Sequence, residues 1–189
     1  MIRLRLIPVA TVIAVLLAGC GSSPTVRHYT LASGEVPTAT GASSPSVVVG
    51  PISLPEAVDR LQIVQRVAGA RAEPAQGHRW AGSLKAELAR RLATAIARER
   101  GLARVVAAPQ NSVARPDLTV PVDVLRLDAD GFSSVTLEAV WAVRGNGNDI
   151  GSGRFSRSEP VSAQTYEALV EAHGRLADAL AAEIAAAIR

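Results

Sequence analysis

One cysteine, Cys20, stands in the 189 residues. No disulfide can therefore form within the chain, and no multi-cysteine zinc or iron–sulfur site can be built. Aromatic residues are scarce at 3%, so the core must be made of small and branched aliphatic side chains. Charge of one sign is also lacking. The 20 basic residues against 17 acidic ones include Arg3 and Arg5, which lie in a segment argued below to be removed. Without them the balance approaches neutrality, and a nucleic-acid partner loses its electrostatic support. What is present is a hydrophobic fraction of 48% with 20% charged residues, much of the apolar share being alanine. Such a chain can bury a core, should be rich in helix, and has a length that suits one domain.

The first twenty residues carry a compartment signal. Arg3 and Arg5 precede the apolar run Leu6 to Leu17, and Ala18-Gly19-Cys20 follows. A basic start, a short apolar stretch and small residues at its end outline a secretory signal. The apolar run is too short for a membrane span, which needs about 20 residues. Leu17-Ala-Gly-Cys20 matches the bacterial lipobox. By resemblance to bacterial lipoproteins, Cys20 is expected to carry a thioether-linked diacylglycerol after cleavage behind Gly19. A lone thiol exported to an oxidising space is a liability unless it is consumed in this way. Two or three acyl chains hold a protein on a bilayer at about 0.8 kcal/mol per buried methylene. Gly21 stands where enteric lipoproteins kept on the inner membrane carry aspartate, which favours the outer membrane.

Residues 1–19 thus read as signal peptide, 20–25 as a lipidated tether and 26–189 as a single domain. The five residues Gly21 to Thr25 reach at most about 17 Å, so the domain sits close to its membrane. Val26 to Leu31 is strand-like, and Ser33 to Ser46 is a Gly/Ser/Thr/Pro-rich loop. Val47 to Ile52 is a strand that bends or ends at Gly50-Pro51. A turn over Leu54 to Asp59 leads to a strand from Leu61 to Val67, and Gly69 to Gly77 reads as a polar loop. Trp80, Leu84, Leu88, Leu92 and Ile96 mark one face of an amphipathic helix, with Gly101 placed to end it. A short strand over Leu102 to Val106 follows.

A meander signal comes next. Leu118, Val120, Val122 and Val124 alternate with polar or turn residues. Pro121 should lie at an edge or a bulge, and the switch of apolar register to Leu125 and Leu127 also predicts a bulge. Asp128 to Gly131 supplies turn chemistry. Val135, Leu137, Ala139, Trp141 and Val143 face one way, and Gly145 to Asp149 forms a hairpin turn before a return strand from Ile150 to Ser158. A final helix places Tyr166, Leu169, Val170, His173, Leu176, Ala177, Leu180, Ile184 and Ile188 on one face, with Ser162 as its N-cap. The expected fold class is α/β: a mixed, mostly antiparallel sheet with a meander, packed by two amphipathic helices in a layered sandwich.

No catalytic constellation emerges from the sequence. His28, His78 and His173 have no second histidine or carboxylate at metal-ligating spacing, and no nucleophile elbow, P-loop or dinucleotide fingerprint is present. His173 falls within an apolar stripe and reads as packed. Asp128 and Asp130 read as turn residues, Trp80 and Trp141 as core, with an interface or lipid contact as the other reading. Arg90, Arg91, Arg98, Arg100 and Arg104 read as a solvated face complementing the helix dipole, with phospholipid headgroups as the weaker reading. No cofactor and no metal are expected, and catalytic residues are not assigned.

The ordered segments carry a resemblance. The lipobox is followed by Tyr29-Thr-Leu31, Val47-Val-Val-Gly-Pro-Ile-Ser-Leu-Pro55 and Asp59-Arg-Leu-Gln-Ile-Val-Gln-Arg66. Then come Trp80-Ala-Gly-Ser-Leu84, Val135-Thr-Leu-Glu-Ala-Val-Trp141 and Tyr166-Glu-Ala-Leu-Val170. This pattern resembles the ABC-type transport auxiliary lipoproteins, the PqiC-like family, with Ser83 in place of a common proline. The resemblance implies a non-enzymatic, periplasm-facing lipoprotein acting beside an MCE-domain protein and ABC transporter or permease subunits, in a system that moves phospholipids or other hydrophobic molecules between membranes. Its membrane partner is engaged through Cys20, and a homo-oligomer is left open. Two other readings stay open at this level: a periplasmic hydrolase acting on envelope polymers, and an assembly lipoprotein that chaperones an outer-membrane protein.

Overall fold

A computed structural model describes residues 25–31, 44–110 and 112–188. Cys20, the signal segment and most of the Ser33–Ser46 stretch lie outside the described residues. The chain runs β1 (Arg27–Tyr29), β2 (Val47–Ser53), β3 (Gln62–Ala68), β4 (Arg71–Trp80), α1 (Leu84–Arg100), β5 (Val105–Ala107), β6 (Leu118–Asp130), β7 (Ser134–Gly145), β8 (Asn148–Pro160) and α2 (Tyr166–Ala187). The strands form one eight-stranded open sheet with mixed pairing, and both helices cover the same face. The α/β layered architecture read from the sequence is the one observed.

The meander is its most regular part. β6 pairs antiparallel with β7, and β7 with β8, along nearly their whole lengths. Val135, Leu137, Ala139, Trp141 and Val143 are all buried against the helices, as period-two alternation requires. Asn146 and Gly147 close the β7–β8 hairpin with φ of 51° and 79°, the two positive values that a type I′ turn needs. β6 is shared on its other edge. Its first half pairs parallel with β2, and its last residue, Asp130, pairs with Arg66 of β3.

Both predicted bulges exist. Between Val49 and Ile52 the β2–β6 register shifts, so Gly50 and Pro51 together oppose Pro121. The missing ladder donors of the two prolines thus fall at one irregularity. The β6–β7 register shifts between Val124 and Arg126, leaving Leu125 as the extra residue. It is 49% exposed and not part of the core stripe expected for it.

Other boundaries differ from expectation. The polar loop from Gly69 to Gly77 is mostly β4, which pairs antiparallel with β3 and parallel with β1. Of its first eight residues only Ala75 is buried, so no apolar alternation announces it. Trp80 ends β4 and does not open the helix. α1 starts at Leu84 and ends at Gly101, whose φ of 62° is left-handed while its N–H reaches Ala97 O. α2 is capped by Thr165, whose hydroxyl accepts from the Ala168 N–H, and not by Ser162.

Candidate functional site: the root of the N-terminal tether

β1 is the first described element after Cys20, so what holds it decides how an anchor would be connected to the domain. Its pairing with β4 covers three residues, too few to fix an edge strand alone. Two charged side chains of α1 complete the attachment. Glu87, 4% exposed, accepts from the Thr30 hydroxyl at 2.8 Å and the Leu31 N–H at 3.0 Å, and it also pairs with Arg90. Arg91 donates to Leu31 O at 2.8 Å and forks onto Asp178 of α2 at 2.9 and 2.7 Å. A planar guanidinium is suited to this two-pronged task. Gly174 makes room for it, since a Cβ there would stand 2.8 Å from the Arg91 guanidinium carbon. Arg90 and Arg91 are therefore not a merely solvated face. They are engaged because α2 and the chain leaving β1 pass beside them, which a helical-wheel reading of α1 cannot reveal.

Beside this clamp lies a cluster of rings. His78 stacks on Tyr166 with centroids 3.6 Å apart, and Tyr29 stacks on His78 at 5.7 Å. Phe132 meets Tyr166 edge-on at 5.2 Å. The Tyr29 hydroxyl lies 2.8 Å from His78 Nδ1 and 3.2 Å from Glu167 Oε1. Tyr166 donates to Gln65 Oε1 at 3.0 Å, and Gln65 donates to Gly131 O at 3.0 Å. Burial raises the hydroxyl pKa of both tyrosines, and the Glu167 charge adds to it at Tyr29. Both tyrosines of the sequence thus meet here, a convergence that no local spacing foretells.

The histidines divide. His173 is 6% exposed, contacts the edge of Trp80 at 5.5 Å and has Nδ1 2.8 Å from Leu169 O. Burial pushes its pKa down to about 4, so it is a neutral packed ring. His78 belongs to the ring cluster, and His28 is exposed on β1. Trp80 and Trp141 are both core residues, as expected. Trp141 donates to Glu183 Oε1 at 3.0 Å and lies over Gly153, where a Cβ would stand 2.7 Å from the indole. Asp128 lies within β6 and not in a turn. On the uncovered face of the sheet it pairs with Arg66 and with Arg126, Arg126 reaches Glu138 at 3.5 Å, and Arg154 reaches Glu138 at 3.3 Å. These carboxylates neutralise arginines across four strands. Among the described residues, no three His, Cys, Asp or Glu side chains are grouped to hold a metal ion, and no helix is long and apolar enough to cross a membrane.

Comparison with known proteins gives a fold and a family. No curated protein matches. A crystal structure of an uncharacterized protein, 19% identical, superposes with a TM-score of 0.68 over 87% of this chain and 99% of its own. A Xanthomonas campestris protein of the DUF330 family, 20% identical, gives 0.61 over 86% and 90%. A PelC dodecamer from Paraburkholderia phytofirmans, 14% identical, gives 0.48 over 82% and 96%. The family described as ABC-type transport auxiliary lipoprotein component matches residues 29–185, from the ring cluster on β1 to the last turn of α2, and this chain belongs to it.

Proposed function

We infer that this chain is a non-enzymatic, lipid-anchored component of an ABC-type intermembrane transport system. In this reading residues 1–19 are removed, Cys20 carries the acyl chains, residues 20–25 are the tether and 26–189 form the working domain. The domain docks the transport conduit at the periplasmic face of the outer membrane, beside an MCE-domain protein and permease subunits that move phospholipids or other hydrophobic molecules. The family membership supports the transport role. The observation that carries the docking role is the clamp of Glu87 and Arg91 on Thr30 and Leu31, which fastens the strand that follows the tether to both helices. A short connection suits a part that holds a larger assembly near its membrane.

Side-chain use supports a role without catalysis. His173 is packed against Trp80, His78 is sandwiched among tyrosines, and Asp128 and Glu138 are spent on arginines. A hydrolase would instead aim such groups into a shared cleft.

Crosslinking in living cells, followed by identification of the captured proteins, tests the reading: an MCE-domain protein or permease subunit is expected, and consistent absence of both overturns it. For the anchor, Cys20→Ser should release the protein from membranes or leave the precursor uncleaved while the domain still folds. Fractionation of that variant with the outer membrane, as for wild type, would refute the anchoring.

A further inference from the structure

Around the point where the tether joins the sheet, the exposed side chains include the aliphatic Val26 and Leu61 and the basic Arg27 and Arg79, with Gln76 beside them and the Glu167 carboxylate acting on Arg27. The Thr25 carbonyl lies 3.3 Å from where a Cβ on Gly77 would stand, so the chain enters β1 beside Gly77 of β4. Val26 is 37% and Leu61 51% exposed. Leu61 O accepts from Trp80 N at 2.7 Å, which places Leu61 beside the β1–β4 pair. Arg27 and His28 lie opposite His78 and Arg79 in the ladder, and Gln62 lies opposite Arg79 on the other side. Val26, Gln62, Gly77 and Arg79 line one shallow depression of about 450 Å³. Arg27, His28 and Arg79 are all exposed. No carboxylate is within ion-pair distance of Arg79 among the described residues, whereas the arginines of the uncovered sheet face are neutralised by Asp128 and Glu138.

We propose that this β1 edge is a membrane-contact surface: Arg27 and Arg79 engage the phosphates of anionic phospholipids while Val26 and Leu61 enter the headgroup layer, so that the domain stands on the bilayer edge-first in one orientation. The proposal rests on the lipid-anchored reading of Cys20. It gains from the length of chain between that residue and Thr25, at most about 17 Å when extended. This keeps the β1 edge within reach of the bilayer, about one to two screening lengths at physiological salt. Guanidinium groups suit bidentate phosphate contact, and a basic group near an anionic membrane surface favours binding about fivefold, about 1 kcal/mol. Two arginines thus bias the orientation by about 25-fold. A surface of mixed small aliphatics and arginines can lie in the headgroup layer without inserting deeply.

The test uses full acylated protein reconstituted into vesicles of phosphatidylethanolamine and phosphatidylglycerol. With the Cys20 sulfur acylated, a cysteine introduced as Leu61→Cys, or in a second protein Leu125→Cys, is the sole target for a fluorophore. Phospholipids bearing a nitroxide on the headgroup should quench the label at position 61 several-fold more than that at position 125. Arg79→Glu, or Arg27→Glu with Arg79→Glu, should reduce the difference, as should replacing phosphatidylglycerol by phosphatidylcholine. Equal quenching at both positions in protein that floats with the vesicles overturns the surface and leaves the anchor standing. A label that reacts with Cys20 itself, or protein that does not float, overturns the anchor and the surface with it.

Discussion

Along β7, Val135, Leu137, Ala139, Trp141 and Val143 enter the core at every second position, whereas at the β1–β4 end the chain is held by groups far apart in sequence. There Glu87 grips residues 56 and 57 positions before it, and Arg91 grips Asp178, 87 positions after it. The meander is a repeating pattern whose errors are averaged over many equal contacts. The tether root is a set of individual contacts between groups distant in sequence. A sheet can thus combine a redundant half, which supplies stability, with a specific half, which sets where an attached chain leaves the fold.

That contrast can be broken by mutation. The largest effect is expected in the meander: Phe155→Ala, removing a side chain 1% exposed, should cost about 3–5 kcal/mol by urea denaturation, with hydrogen exchange rising across the whole domain. Exchange that rises only in β8 would show that the meander is less cooperative than its ladders suggest.

Acid comes next, through His173. Its ordinary value is 6.5 and burial holds it at about 4. Between those values the unfolded chain binds a proton that the folded chain does not. The contribution is therefore full above about pH 6.5 and is lost as pH falls toward 4, about 3 kcal/mol in all. Denaturation midpoints between pH 7 and 4 should show this slope, and His173→Asn should flatten it. An unchanged slope in that variant would move the acid sensitivity elsewhere.

Arg91→Ala should cost about 1–3 kcal/mol, with amide exchange accelerated at Thr30 and Leu31 and unaltered in β7. Acceleration throughout would mean that the two halves are one unit. The smallest expected change is Thr165→Ala, about 1 kcal/mol from loss of the cap on Ala168, read as a shift in thermal midpoint. Ser162→Ala should leave the midpoint unmoved.

The same division explains what the sequence disclosed. The β6–β8 strands, their two bulges and the hairpin turn are legible because each depends on neighbours within a few positions. The facing stripes of α1 and α2 are legible for the same reason. β4 is hidden because Arg71-Ala-Glu-Pro-Ala-Gln-Gly-His78 has no alternation of its own, and its strand form is imposed by pairing with β3 and β1. Thr165 and Ser162 are both competent caps, and the choice follows from where Tyr166 docks on His78. The Arg91 clamp is invisible because Asp178 and Gly174 belong to the other helix. Cys20 is legible as a motif and lies outside the described residues.

β1 runs parallel to β4, and its far end is gripped by Glu87 and Arg91. Tension applied through the amino terminus would therefore be borne by a short ladder and, behind it, by charged groups rooted in the first half of α1, with Arg91 passing part of the load to Asp178 on α2. If tugging at the bilayer is part of this protein's working life, the first thing to yield is the ladder, and the helix-rooted contacts decide whether the rest of the molecule follows.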